Sequence, residues 1–371
     1  MTGSAPSRPT FGHRIRAIAV VFLAVVACSS GAKGASHGAA SANSAVDQAR
    51  VAARHFLSAY VEPDGRVARH DQGDDTVSEG QSYALLLAQV AGDEAAFDRV
   101  WQWTSSHLAR PDGLLASHAA RNGQVDDTNA ATDADVVTAW ALLRDVGPHA
   151  AAHHQDGRGL AAAVLDHETL TLPDRTLVLA AGNWATGAPG TLNPSYWAIP
   201  ALTSLARLTS DDRWNGLAQT AARLTAAQTN DGHQLPPDWE RVDGATVTAT
   251  PAPNGQVPDV RYSFDAQRVV TWFAVGGTQS AKLAAAWAGL LDVDQRDRAS
   301  ALRIDGSIVD GRAHPEALIA AAAGALAAGN HDLAIHRLAD ADALDDSQPS
   351  YYDGAWIALG RALLTTDLLK N

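Results

Sequence analysis

The feature that most constrains this chain is a helical rhythm running from about Asn43 almost to its end. Val46, Ala49, Ala53, Phe56, Leu57 and Tyr60 recur at steps of three and four, which gives a helix one apolar face. The run Ala317-Leu318-Ile319-Ala320-Ala321-Ala322 is apolar all round. A helix of that kind is enclosed by neighbours rather than laid on a surface. Further helices are expected to begin near Thr76 or Ser78, Asp93, Asp133, Gly159, Pro194, Asp211, Phe264, Ser280, Pro315, Asn330 and Tyr351. The total is about twelve, in an all-α chain. Strand signals are confined to Thr176-Leu177-Val178-Leu179 and Ala245-Thr246-Val247-Thr248, and Pro236 to Pro258 reads as one large insertion. Pairs of helices forming an inner and an outer layer around an axis, an (α/α)6 barrel, satisfy this pattern. A solenoid of helical pairs fits the periodicity alone equally well.

The first residues carry a different signal. Arg14 and Arg16 precede the apolar run Ala17 to Ala27, which is too short for a stop-transfer span. Cys28, the one cysteine in the chain, follows at once, and Val25-Val26-Ala27-Cys28 resembles a bacterial lipobox. The expectation is a signal peptide over 1–27, a lipidated Cys28 with a Gly/Ser/Ala tether over 28–44, and a single catalytic domain over 45–371. An ordinary secretory signal is the competing reading. Both take the protein out of the cytoplasm, with a membrane met only through the N-terminal lipid, and the chain is expected to be a monomer. With no second cysteine, the fold holds without disulfides.

Composition narrows the partners. The formal net charge is -13 and no basic stripe interrupts it, which argues against nucleic acid. Ten Trp stand against six Phe and six Tyr. Indole faces stack well on sugar rings, although they pack ordinary cores too. Trp101, Trp103, Trp140, Trp214, Trp272 and Trp287 lie at helical spacing among aliphatic residues and read as core, whereas Trp239 follows two prolines and reads as a rim contact.

Three acidic segments stand out. In Thr76-Val77-Ser78-Glu79-Gly80-Gln81-Ser82-Tyr83, either Ser78 or Thr76 suits an N-cap and Glu79 falls in the first turn, where an acid complements the helix dipole. Gly80 costs a helix about 1 kcal/mol, and close approach of a ligand to the backbone is one reason to tolerate it. In Ala131-Thr132-Asp133-Ala134-Asp135, Thr132 or Asp133 suits a cap, and the two acids suit sugar hydroxyls as well. A metal cluster is poorly supported, since no Cys is near and His153-His154 fall in a polar turn. In Phe264-Asp265-Ala266-Gln267-Arg268, a helical turn brings Asp265 beside Arg268, either as a structural ion pair or as a base held ionised.

These segments, in this order, resemble glycoside hydrolase family 8, the bacterial cellulase group. Its acid motif T-x-S-E-G-Q-x-Y-x-L is matched by Thr76 to Leu85, and its A-[ST]-D-[AG]-D signature by Ala131 to Asp135. N-P-S-Y stands at Asn193 to Tyr196, P-D-W at Pro237 to Trp239, and the base motif at Asp265 to Arg268. Tyr351-Tyr352 match the family's late Y-Y helix and join the substrate-binding candidates. The resemblance covers roughly 45 to 368.

The resemblance implies an (α/α)6 barrel, inverting hydrolysis and no cofactor or metal. By position, Glu79 matches the proton donor, Asp265 the base, and Asp133 the acid that contacts the sugar at the cleavage point. Tyr196 matches a tyrosine of the same subsite, Arg268 the arginine beside the base, and Trp184 a sugar-stacking tryptophan. The family commonly has Tyr before its base, and Phe264 departs from that. The implied substrate is a β-1,4-glucan polysaccharide. Chitosan, xylan and mixed-linkage glucan remain alternatives within the family, and a non-catalytic glucan-binding lipoprotein is the alternative outside enzymes.

Overall fold

The computed structural model describes residues 34–370 apart from 256 and 348. Its helices are α1 (Gly34–Tyr60), α2 (Ser78–Ala91), α3 (Glu94–His107), α4 (Thr132–Arg144), α5 (Ala150–His167) and α6 (Ile199–Thr209) in the first half. The second half holds α7 (Arg213–Gln228), α8 (Phe264–Ala274), α9 (Thr278–Leu291), α10 (Pro315–Ala327), α11 (His331–Asp345) and α12 (Tyr351–Thr365). From Ala40 onward the chain forms a single compact unit.

The even-numbered helices make a closed ring, α2 against α4, then α6, α8, α10 and α12, which returns to α2. Each of α3, α5, α7, α9 and α11 packs on the even helix before it, as an outer layer. Closure decides between the two architectures, because the last helix of an open solenoid does not touch the first. The chain is an (α/α)6 barrel.

Sequence explains which helices go inside. In α4 every residue from Thr132 to Leu143 is buried, and in α10 every residue from Pro315 to Ala325. In α11 only Ala334, Arg337, Leu338 and Ala341 are buried. Small residues let the inner helices approach closely. A Cβ on Gly360 of α12 would stand 2.6 Å from Ile319 of α10. The six tryptophans read as core are all buried.

Three expectations need correction. The described residues contain ten short strands, β1 to β10, where the sequence showed two. They form small antiparallel sheets in the connections: β1 (Thr76–Val77), β2 (His118–Ala119) and β3 (Val125–Asp127); then β4 (Thr169–Thr171) with β5 (Leu177–Leu179). Next come β6 (Gly190–Leu192), β7 (Trp239–Asp243) and β8 (Thr246–Thr250), and finally β9 (Ala299–Leu302) with β10 (Ile308–Ala313). Six of them, β1 to β6, have two or three residues, too few to show alternation. The stretch read as an insertion over Pro236 to Pro258 holds the β7–β8 hairpin, docked on β6.

Helix α5 starts at Ala150 rather than near Gly159, so His153 and His154 are helical, not in a turn. Buried His153 shares a hydrogen bond of 2.8 Å with Asp145, and Gly157 permits contact with Leu143. A polar, glycine-bearing first half hid this helix. Lastly, α1 begins at Gly34, inside the stretch read as a tether, where alanine favours helix. The expected signal peptide and Cys28 lie outside the described residues. Among those residues, no helix is long and apolar enough to cross a membrane.

Candidate active site

Helices α2, α4 and α8 each carry an acid in the first turn: Glu79, Asp133 and Asp265. Arg268, 2% exposed, gathers all three. Its Nη1 donates to Glu79 Oε1 at 2.5 Å and to Asp133 Oδ2 at 3.1 Å, and lies 2.9 Å from the Tyr83 hydroxyl. Its Nη2 donates to Asp265 Oδ1. The Tyr83 hydroxyl in turn donates to Glu79 Oε1 at 3.1 Å. A buried cation shared by three carboxylates is held by charge-assisted hydrogen bonds, and it fixes their mutual positions.

The expected caps do not form. Val77 and Ala131 precede α2 and α4, and neither caps through its side chain. Thr76 Oγ1 donates instead to the Val67 carbonyl at 2.9 Å. Asp133 Oδ1 accepts from its neighbour Ala134 N at 2.9 Å, and Asp135 reaches away to Leu115 N at 3.0 Å. Long-range partners have taken these side chains from local duty. Gly80 also has a different reason from the one expected. A Cβ there would lie 2.4 Å from the Tyr351 hydroxyl, so a side chain, not a ligand, excludes it.

Burial, more than any neighbour, pushes the Asp133 carboxyl up to about 7; Arg268 opposes the shift, while Glu79 and Asp265 add to it. Behind it lie two more buried acids. Burial and the nearby Glu168 raise Asp135 well above the usual range, and burial takes Glu168 up to about 8. For Arg268, burial alone would weaken the charge, but Tyr352, Tyr83, Glu79 and Asp265 more than reverse it. Arg268 is therefore a permanent cation.

Aromatic groups surround this centre. Arg268 sits 5.6 Å over the Tyr196 ring, and Trp239 meets Tyr196 edge-on at 6.2 Å. Trp184 is 42% exposed, and its Nε1 donates to the Ala130 carbonyl at 3.2 Å. Asn183 accepts from Ala130 N at 2.9 Å, which ties this loop to the segment leading into Asp133. Phe264, beside Asp265, is 45% exposed with its edge against His314 at 4.7 Å. The Tyr352 hydroxyl lies 3.0 Å from the Phe264 carbonyl and 3.2 Å from Glu316 Oε1. Tyr351 is buried behind Gly80, against Phe56 and Tyr60.

Glu79, Asp133, Asp265, Arg268, Tyr196, Tyr351 and Tyr352 thus fall at or directly behind one centre, and Trp184 stands outside it, bonded to the Ala130 carbonyl. Sequence reasoning missed the parts played by Tyr83 and Glu316. Tyr83 stands one helical turn after Glu79, which was the available signal. For Glu316 the signal was an acid opening an otherwise apolar helix.

Residues 31–363 match the sequence model of the glycosyl hydrolases family 8. The chain belongs to that family. It is a glycoside hydrolase, and relatives among known enzymes agree. It is 33% identical over 256 residues to a probable endoglucanase of Novacetimonas hansenii, covering 68% of this chain and 74% of that one. It is also 33% identical over 254 residues to an endoglucanase of Cellulomonas uda, covering 64% and 66%.

The family 8 barrel is also similar to solved structures. An endo-β-1,4-glucanase from an Achatina fulica gut metagenomic library has a TM-score of 0.69 at 26% identity, over 83% of this chain and 95% of that one. The Acetobacter xylinum endo-β-1,4-glucanase gives 0.68 at 26%, over 86% and 99%. A β-1,3-1,4-glucanase from Paenibacillus sp. X4 gives 0.76 at 19%, over 87% and 92%, which speaks to the fold alone.

Proposed function

We propose that this family 8 hydrolase cuts β-1,4-glucan within the chain and with inversion, using Glu79 as general acid and Asp265 as general base. The observation that carries the reading is the two-sided grip of Arg268, with Glu79 and Asp133 on one terminal nitrogen and Asp265 on the other. Inversion requires an acid and a base set roughly 6.5–9.5 Å apart with water between base and sugar. A rigid guanidinium holds the two carboxyls on separate nitrogens, each fixed relative to the other. Both hydrogen bonds to Glu79 end on Oε1, which leaves Oε2 to carry the proton for the leaving oxygen. Asp265, ionised beside Arg268, takes a proton from the attacking water. Asp133 supports the positive charge that grows on the ring, Tyr196, Trp184 and Tyr352 shape the sugar sites, and Tyr351, buried behind Gly80, backs the Glu79 turn rather than meeting the sugar. The two endo-β-1,4-glucanases of similar structure favour this polymer over chitosan or xylan.

The test is reducing-end release from carboxymethyl cellulose, lichenan, xylan and chitosan, with the product anomer read by proton NMR. Release from the first, with inverted product, is expected. Glu79→Gln and Asp265→Asn should each abolish it in folded protein. Retained turnover in either variant would sink that assignment, and cleavage of chitosan alone would overturn the substrate.

The arginines, the apolar run and the lone cysteine ahead of the barrel support export, with Cys28 lipidated at the cell surface. Metabolic labelling with palmitate, lost in Cys28→Ala, is the expected result. Unlabelled wild-type protein would return the segment to an ordinary secretory signal.

A further inference from the structure

Helix α8 carries Asp265 in its first turn, yet its own N-cap residue, Ser263, makes no side-chain cap. The cap comes from elsewhere. Asp238, in the Pro237-Asp238-Trp239 segment before β7, accepts from Ser263 N at 2.8 Å and from Ala266 N at 2.9 Å through Oδ1. Its Oδ2 is hydrogen-bonded to the Ser263 hydroxyl. The Asp238 backbone is fixed as well, its N–H donating to the Arg261 carbonyl at 2.8 Å. A single carboxyl thus satisfies the amides on both sides of Asp265, across 25 and 28 residues of sequence.

We propose that Asp238 is a positioning residue for the reaction, capping α8 from outside the helix so that Asp265 meets its water in a fixed place. This rests on Asp265 being the base. The Asp238 carboxyl touches neither of the other two acids, and its partners are all groups of the α8 start. Burial, with the Asp265 charge behind it, pushes that carboxyl up to about 7. The Ser263 hydroxyl donates to the outer oxygen of the charged carboxylate; with that carboxyl protonated, below about 7, the outer oxygen donates to Ser263 instead and the inner oxygen still accepts both amides. An asparagine reproduces this pattern, with its carbonyl in the inner place and its amide N–H in the outer one. An alanine reproduces none of it.

The experiment compares kcat and KM of Asp238→Ala, Asp238→Asn and Asp265→Asn on carboxymethyl cellulose at pH 5.5, about 1.5 units below the point where Asp238 ionises. Loss of the cap lets the base shift, and a displacement of about 1 Å costs on the order of 100-fold in kcat. The alanine variant should lose that much with KM within about twofold, and asparagine should recover all but about threefold. If Asp238→Ala does not fold, Asp238→Ser, too short to span both amides, takes its place with the same expectation. Equal kcat in the alanine and asparagine variants, or a change confined to KM, would overturn the inference. A fully active Asp238→Ala beside a dead Asp265→Asn overturns it alone, whereas an active Asp265→Asn removes the base assignment and this inference together.

Discussion

Gly80 and Tyr351 are fitted to one another, the glycine of α2 leaving room for the tyrosine hydroxyl of α12, which a methyl group would meet at 2.4 Å. The tyrosine is buried and its hydroxyl has no hydrogen-bond partner among the described residues, so shape holds this contact. Gly80→Ala should therefore push the ring aside. Overpacking of this kind costs about 1–3 kcal/mol, read as a lower midpoint in thermal or urea unfolding. Because Glu79 adjoins Gly80, turnover should fall too. Adding Tyr351→Phe, which removes the clashing oxygen, should restore much of the stability. A Gly80→Ala protein as stable as wild type would contradict the packing argument.

Arg268→Lys keeps the charge and loses the planar fork. An ammonium cannot present two separate nitrogens to Glu79 and Asp265, so kcat should drop by about 100-fold or more. Arg268→Met is expected to be worse for stability, by about 3–5 kcal/mol, since it leaves three carboxylates beside each other without a cation. Chemical denaturation checks the second effect and turnover the first. A lysine variant within tenfold of wild type would show that a point charge suffices.

Glu240 offers a test by pH. It is fully buried on β7, neither carboxyl oxygen has a hydrogen-bond partner, and burial pushes it from an ordinary 4.5 up to about 8. Between those values the folded protein holds a proton that the unfolded chain has released. Stability contributed by this group therefore declines as pH rises from about 4.5 to about 8. Glu240→Gln removes the proton release. Its melting temperature should match wild type near pH 4.5 and exceed it by several degrees at pH 8. Parallel curves for the two proteins would refute the buried-carboxyl reading.

Trp184 lies outside the charged cluster with nearly half its surface open. Trp184→Ala should raise KM for cello-oligosaccharides by about tenfold through loss of stacking, with kcat falling less. Substrate-depletion kinetics on cellotetraose and cellopentaose would separate the two. A pure kcat effect would instead mean that the indole matters through its hydrogen bond to Ala130.

Much of this fold was legible because helices repeat their apolar residues often enough to be counted. Glu94–His107 and Pro315–Ala327 begin within a residue of where periodicity and capping place their starts. Two strands, Leu177–Leu179 and Thr246–Thr250, lie where β-branched runs pointed, but Thr76–Val77 or His118–Ala119 has no period to detect. The three acids could be named from motif order, but not their meeting place. Arg268 lies 189 residues from Glu79 and 135 from Asp133, so their contact exists only once α2, α4 and α8 are brought together in the fold. Local rules misled at Asp133 and Thr76, where a cap was the nearest explanation and more distant partners, Arg268 and the Val67 carbonyl, prevailed. Asp238 shows the reverse case, a real cap supplied from another segment of the chain.

The closing of the inner ring has a consequence for how such an enzyme comes into being. Tyr351 backs Gly80 and Trp356 meets Tyr83 edge-on at 5.6 Å, so fifteen residues of α12 provide part of the wall for the first acid in the chain. A nascent chain carrying everything through α11 has all three acids and their arginine, yet one-sixth of its barrel wall stands open. A chain that lacks α12 therefore holds the acids and the arginine without the wall that Tyr351 and Trp356 give the Glu79 turn, and completion of the site waits on the last inner helix.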